Sequence, residues 1–324
     1  MKQLFYILFV LLITSCTWVK DDEDCDYGFW LNLHYTYNIL DVEAAPEYID
    51  EVAIYIYDAA GNYVKRIDIS QQDLKARNHR VLVEGLAEGD YQFVVWSGVS
   101  KTQYAISNDR TTMQDFRLNL AGSMLNVDTC KQKLPDLYYG KLSTVHYDEV
   151  HAVHDVYLTK NTNELACGIV TLSKNVKFKP DEFTMKIVSA NGTMDGKDSL
   201  VSDKLIIYKP YQQDTVTIND DQNNRKLHGI ESNISTLRLM EKTDSRLILE
   251  KNSTGQQVVN ISIPEFIGMV GPLYTKLGRP LTVQEYLDRQ DFFSIIFILS
   301  DDLDHLLQIQ INSWKVRQFN DLKI

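Results

Sequence analysis

Cys16 carries the plainest chemistry in this chain. It closes the tetrad Ile13-Thr14-Ser15-Cys16 behind Lys2 and ten uninterrupted apolar residues, Leu4 to Ile13. A thiol in that position is a nucleophile that can take up a diacylglycerol, and the small Thr14 and Ser15 leave a peptidase room to reach the backbone. The pattern predicts removal of residues 1–15 as a signal peptide and a lipid on Cys16, the new amino terminus. Ten residues rise only about 15 Å as a helix, half of the roughly 30 Å hydrocarbon core, so the segment is too short to remain as a membrane span. Two or more acyl chains would hold the protein stably, because each buried methylene contributes about 0.8 kcal/mol. The run Lys20-Asp21-Asp22-Glu23-Asp24 cannot bury itself, so residues 16–26 read as a lipidated, solvated linker.

The remaining reactive side chains give weaker patterns. Cys25, Cys130 and Cys167 form no CxxC pair, which does not indicate a zinc cage. In an oxidising compartment one disulfide can form; Cys25 with Cys130 would tie the start of a first domain to its later part and leave Cys167 over. His146, Asp148, Glu149, His151, His154 and Asp155 are the densest titratable group. If the segment from His151 is a strand, however, His151 and His154 point to opposite faces and cannot share an ion. Asp288 and Asp291 could be imagined as the paired acids of a glycosidase, but two carboxylates near a helix end usually mark a solvated face. There is no phosphate-cradling glycine loop, HExxH or GxSxG in the sequence. The expectation is a protein without metal, cofactor or catalytic constellation.

The elements that would carry these residues are strands. The 324 residues include 33 basic and 44 acidic side chains; removing residues 1–15 takes away only Lys2, leaving 32 against 44 and a net charge of −12. Such an acidic chain is a poor partner for nucleic acid. Eighteen Tyr and 12 Phe against 15 Gly and 7 Pro suit sheets better than disorder. Phe29, Leu31, Leu33, Tyr35 and Tyr37 alternate with Trp30, Asn32, His34, Thr36 and Asn38, which predicts a half-buried strand. Val52 to Asp58 and Tyr63 to Ile67 flank Ala59-Ala60-Gly61-Asn62, a hairpin signal. Further short strands are predicted at Val81–Val83, Phe93–Trp96 and Phe116–Leu120, and a last one near 152–158 after Leu137-Tyr138-Tyr139-Gly140, with no helix of any length before residue 160. The expectation is two antiparallel sheets packed face to face.

Beyond an Asn161-Thr162-Asn163 bridge, strands are expected at Leu165–Leu172, Phe183–Ile187, Leu205–Tyr211, Ser235–Leu239, Arg246–Leu249 and Val259–Ile263. Asn191-Gly192 reads as a hairpin turn, and Tyr211 to Ile230 as an exposed polar loop. Thr282 and Glu285 form a capping box for a short helix from Val283 to Gln290. Phe292 to Leu299 is apolar enough for a central strand.

The lipidation tetrad with its acidic linker, the aromatic first strand, Ile54-Tyr55-Ile56-Tyr57-Asp58-Ala59-Ala60-Gly61, the series Leu86, Gly89, Tyr91, Trp96, and Leu137-Tyr138-Tyr139-Gly140 resemble the FimB-type fimbrial anchor lipoproteins of Bacteroides-like bacteria. Glu285-Tyr286-Leu287-Asp288-Arg289 and Ile311-Asn312-Ser313-Trp314 resemble the end of the same sequences. The resemblance implies two tandem transthyretin-like β-sandwich domains, 27–160 and 161–324, in an all-β chain. It implies an anchor and assembly subunit at the base of a fimbrium, tethered to the outer membrane through lipid on Cys16 and exposed at the cell surface. Its partner would be a pilin subunit, reached through an open sheet edge or groove. The alternative is a surface lipoprotein that binds glycans or host protein. An enzyme is not expected.

Overall fold

In the computed structural model the described residues are 28–148, 152–173, 176–179, 181–201, 204–220, 225–276, 278–312 and 314–318. Cys16 and Cys25 lie outside them. The first half builds one eight-stranded sheet. Its order is Tyr63–Ile69, Val52–Asp58, Gly89–Ser97, Tyr138–Lys141, Val153–Lys160, Gly28–His34 and Arg80–Glu84, with Val145–Tyr147 also paired to Gly89–Ser97. Gly61, at a φ of 85°, makes the tight connection between the first two, as the Ala-Ala-Gly-Asn signal predicts. Tyr91 fixes the entry to its strand by donating its hydroxyl to the Ala87 carbonyl at 2.8 Å. Gly140 fits where no side chain could: a Cβ there would meet Val156 at 2.7 Å and Val95 at 2.9 Å.

The second half is a pair of facing six-stranded sheets. One runs Gln212–Asp220, Arg225–Leu237, Thr162–Thr171, Phe292–Leu299, Leu306–Ile311, Trp314–Gln318. The other runs Gln256–Ser262, Arg246–Lys251, Phe183–Ser189, Ile206–Tyr208, Thr129–Cys130, Leu125–Asn126. Alternate residues of both, Leu165, Cys167 and Ile169 against Met185, Ile187, Leu247 and Leu249, bury completely or nearly so in a common core. The architecture is all-β and sandwich-like. Phe292–Leu299 is central, and the helix Val283–Arg289 begins at the predicted capping box: Thr282 Oγ1 accepts from the Glu285 amide at 3.2 Å, and Glu285 Oε2 accepts from the Thr282 amide at 3.0 Å.

Strands cross the position at which the two halves meet. Cys130 of the first half pairs in parallel with Tyr208 of the second, and Thr193 of the second pairs with Asn119 of the first. Val153–Lys160 passes into Thr162–Thr171 through Asn161 alone. Asn161, Thr162 and Asn163 are buried, and the Asn161 amide donates to the Leu137 carbonyl at 2.7 Å, so the bridge is interior backbone and not an exposed linker. The core follows suit: Tyr55, Tyr57 and Trp96 on one face of the eight-stranded sheet join the cluster that holds Leu165 and Leu247. Phe29, Leu31, Val52, Val83 and Val156 on the other face form a separate cluster.

Four expectations need correction. The pairing is not wholly antiparallel, since Gly28–His34 runs parallel to Val153–Lys160, and Thr162–Thr171 parallel to Phe292–Leu299. A six-residue helix, Gln71–Ala76, is present in the first half, capped by the Ser70 hydroxyl on the Asp73 amide. Tyr211 to Ile230 is not a loop: Gln212–Asp220 and Arg225–Leu237 are the arms of a long hairpin. Asn191-Gly192 is no hairpin turn either. The buried Asn191 amide donates to the carbonyls of Leu237 and Arg238 at 2.9 and 3.1 Å, and its oxygen accepts from Tyr208, so the chain is held there to cross toward Arg117–Leu120.

Candidate functional site

The titratable residues before 160 are dispersed among different partners. His146 pairs with Asp90 at 2.8 Å on the edge where Val145–Tyr147 meets Gly89–Ser97. His154 packs its ring edge-on against Phe29. Asp155 instead serves His34, whose Nε2 lies 3.0 Å from it and whose Nδ1 lies 2.8 Å from Glu43. Burial works against a charged His34 ring, but the hydrogen bonds to Glu43 and Asp155 outweigh it and raise its pKa. Glu149 and His151 lie outside the described residues. No metal-holding group of His, Cys, Asp or Glu occurs among the described residues.

Asp288 and Asp291 also separate. The helix Val283–Arg289 turns Asp288 inward, where Arg238 grips it with two bonds, Nε to Oδ1 at 3.0 Å and Nη2 to Oδ2 at 2.9 Å. Asp288 is buried, so the solvated face expected there is corrected. Asp291 belongs to another pair, 2.7 Å from Lys160, which also holds Asp136 at 2.9 Å. The guanidinium of Arg238 reaches a second buried carboxylate, Asp198, which also accepts from Asn161. Burial pushes Asp198 up to about 7, with Arg238 pulling the other way, because one guanidinium serves two carboxylates out of water. Arg289 lies over the Tyr37 ring at 4.2 Å and pairs with Asp41, which Lys276 holds from its other side at 2.8 Å.

Arg238 with Asp288, and Arg289 with Asp41, wall a cleft of about 600 Å³ between the halves, lined also by Thr36, Tyr37, Tyr157 and Thr159. Of this wall the sequence had singled out Asp288, as one of a pair of acids with Asp291, but not its partner Arg238. Arg238, Asp198 and Asp288 come from three distant segments, and no spacing rule links them. The two remaining cysteines are buried, and burial pushes the Cys167 thiol up to about 12 and raises that of Cys130.

Sheet edges are the other surfaces at which this architecture can act, since an edge strand offers unpaired amides and carbonyls. Tyr63–Ile69 carries Lys65, Arg66 and Asp68 along its length, a charged edge of the kind that resists further pairing. Leu125–Asn126 is two residues long. Gln256–Ser262 differs from both: seven residues without a charge end their sheet, beside a groove of about 420 Å³ lined by Val258, Ile261, Phe266 and Leu306 together with the charged Arg246 and Glu265.

None of the curated proteins matches the chain significantly. Over 91% of its length it is similar, at 26% identity and a TM-score of 0.76, to 98% of a Bacteroides thetaiotaomicron protein provisionally assigned to polysaccharide binding. A second protein of that organism, provisionally assigned as an adhesin, matches over 92% of this chain and all of its own at 24% identity and a TM-score of 0.80. The fimbrial anchor protein Mfa2 of Porphyromonas gingivalis shares the fold over 90% of this chain and 99% of its own, at 17% identity and a TM-score of 0.69. The family model of the fimbrillin-A associated anchor proteins Mfa1 and Mfa2 matches residues 21–319. The chain belongs to that family of fimbrial anchors.

Proposed function

We propose that this fimbrial anchor is held to the outer membrane by lipid on Cys16 and grips a pilin subunit through its sheets. In this reading residues 1–15 are a signal peptide, 16–26 a solvated linker, and 27–160 and 161–324 two transthyretin-like modules. A Cys25–Cys130 bridge would close the start of the first module. The family match from residue 21 to 319, beginning five residues after a complete lipidation tetrad, is the observation that carries the proposal. An anchor needs one fixed end and one joint. The lipid supplies the first, and the uncharged edge Gln256–Ser262 with its adjoining groove suits the second, because an incoming strand could complete its hydrogen bonds there. Nothing in the site calls for turnover of a substrate, and the family is one of structural anchors. The decisive experiment replaces the thiol: a Cys16→Ala strain is expected to shed its fibres into the medium. Fibres that stay on such cells would reject the tether.

A further inference from the structure

The cleft between the halves has features that anchoring does not use. Its floor is a ladder across three neighbouring strands: Lys141 lies opposite Tyr157, and Tyr157 opposite His34. Tyr157 is 52% exposed, with its ring stacked beside the imidazole of His34 at 5.3 Å. The wall is Arg238 and Arg289, both locked by carboxylates, so the shape is set before any ligand arrives. Lys141 makes no ion pair among the described residues, although it borders both this cleft and an adjoining one of about 530 Å³ that continues past Ser143 and Thr144. In this cleft Lys141 is therefore the cation left for an incoming anion.

We propose that this cleft binds an acidic sugar, with the carboxylate on Lys141 and the pyranose ring on Tyr157. The other cations are already matched by Asp41, Asp198 and Asp288, leaving room for a single negative charge; a doubly charged phosphate would face those carboxylates. The broad face of a tyrosine suits the C–H face of a sugar ring. Thr36, Thr159 and Ser143 supply hydroxyls at its margin, and the volume lies in the range of small-ligand sites. An acidic peptide would satisfy Lys141 but leave the ring platform unused, and its backbone would find no open sheet edge in the cleft. The proposal is independent of the lipid and of the pilin joint.

Calorimetric titration of the purified protein with methyl glucuronide, which carries one carboxylate, and with the neutral methyl glucoside is the test. The glucuronide is expected to bind, and the glucoside at least about tenfold more weakly, the scale of one charge-assisted hydrogen bond. Lys141→Gln and Tyr157→Ala are each expected to weaken the glucuronide about tenfold, with Lys141→Arg keeping most of the affinity and all three keeping the parental unfolding temperature. No binding of the glucuronide, binding untouched by Lys141→Gln, or equal binding of an end-blocked Gly-Glu-Gly peptide would each overturn the proposal.

Discussion

At the residue scale the behaviour of this protein is dominated by Arg238. Its side chain is 13% exposed and is shared by Asp198 and Asp288, themselves 4% and 7% exposed. Removing one member of a buried ion cluster leaves the others uncompensated, which costs about 3–5 kcal/mol. Arg238→Ala is therefore expected to lower the free energy of unfolding by that amount in urea denaturation, and a loss below about 1 kcal/mol, the scale of an exposed pair, would show the cluster to be effectively solvated. The same cluster makes stability depend on pH. Asp198 titrates at about 7 in the folded chain and at about 3.9 when unfolded. Between those values the folded state holds the extra proton, so stability from this group is complete below the unfolded pKa and is lost as pH rises through 7. Asp198→Asn removes the titration, and the fall in unfolding temperature from about pH 4 to about pH 8 is expected to flatten. An unchanged slope in the variant would assign the pH dependence to other groups.

At the scale of elements, what could be read from sequence follows the physics that forms each one. The strand beginning at Phe29 was legible because one face is dry: Phe29, Leu31, Leu33 and Tyr35 are all buried. The capping box at Thr282 was legible because it is local. The hairpin of Gln212–Asp220 and Arg225–Leu237 was not, because its outer arm ends a sheet and is largely wet, as Gln212, Asp214 and Thr215 show. Thr215, Val216 and Thr217 nevertheless carry a β-branched signal that could have found it. Ser70 and Asp73 likewise marked the short helix Gln71–Ala76. The ion cluster and its cleft were invisible because tertiary pairing assembles them. Edge chemistry gives the prediction that belongs here. Gln257 is exposed on the uncharged edge Gln256–Ser262, so Gln257→Lys alters stability by no more than about 0.5 kcal/mol while placing a charge in the path of an incoming strand. Cross-linking to the pilin subunit in outer membranes is expected to drop sharply in this variant. Undiminished cross-linking would move the joint to another edge.

At the scale of the molecule, the two halves are one thermodynamic body. A sequence with a break near 160 suggests two modules that unfold separately, and interfaces between such modules are ordinarily modest in area. Here the second half takes its outer strands Leu125–Asn126 and Thr129–Cys130 from the first, and the first receives Thr193–Met194 in return. Trp96 and Tyr55, fully buried, belong to one core cluster that continues across the boundary to Leu165 and Leu247. Exposing such side chains costs about 1.5–3 kcal/mol each, comparable with a large share of the net stability of a whole domain. Lys160, bridging Asp136 and Asp291, and Arg289, bonded to the Asn38 carbonyl at 3.2 Å, fasten the same junction at its rim. Neither half can unfold without stripping the other of sheet neighbours and core. Scanning calorimetry is therefore expected to show a single transition, with the calorimetric enthalpy equal to the van't Hoff value. A fragment of residues 161–324 is expected to lack cooperative unfolding altogether. Two resolved transitions, or a fragment that melts cooperatively on its own, would mean that the exchanged strands add little and that force could part the halves one at a time; a single transition means that a load applied at the proposed joint would pass to the proposed tether through one rigid piece.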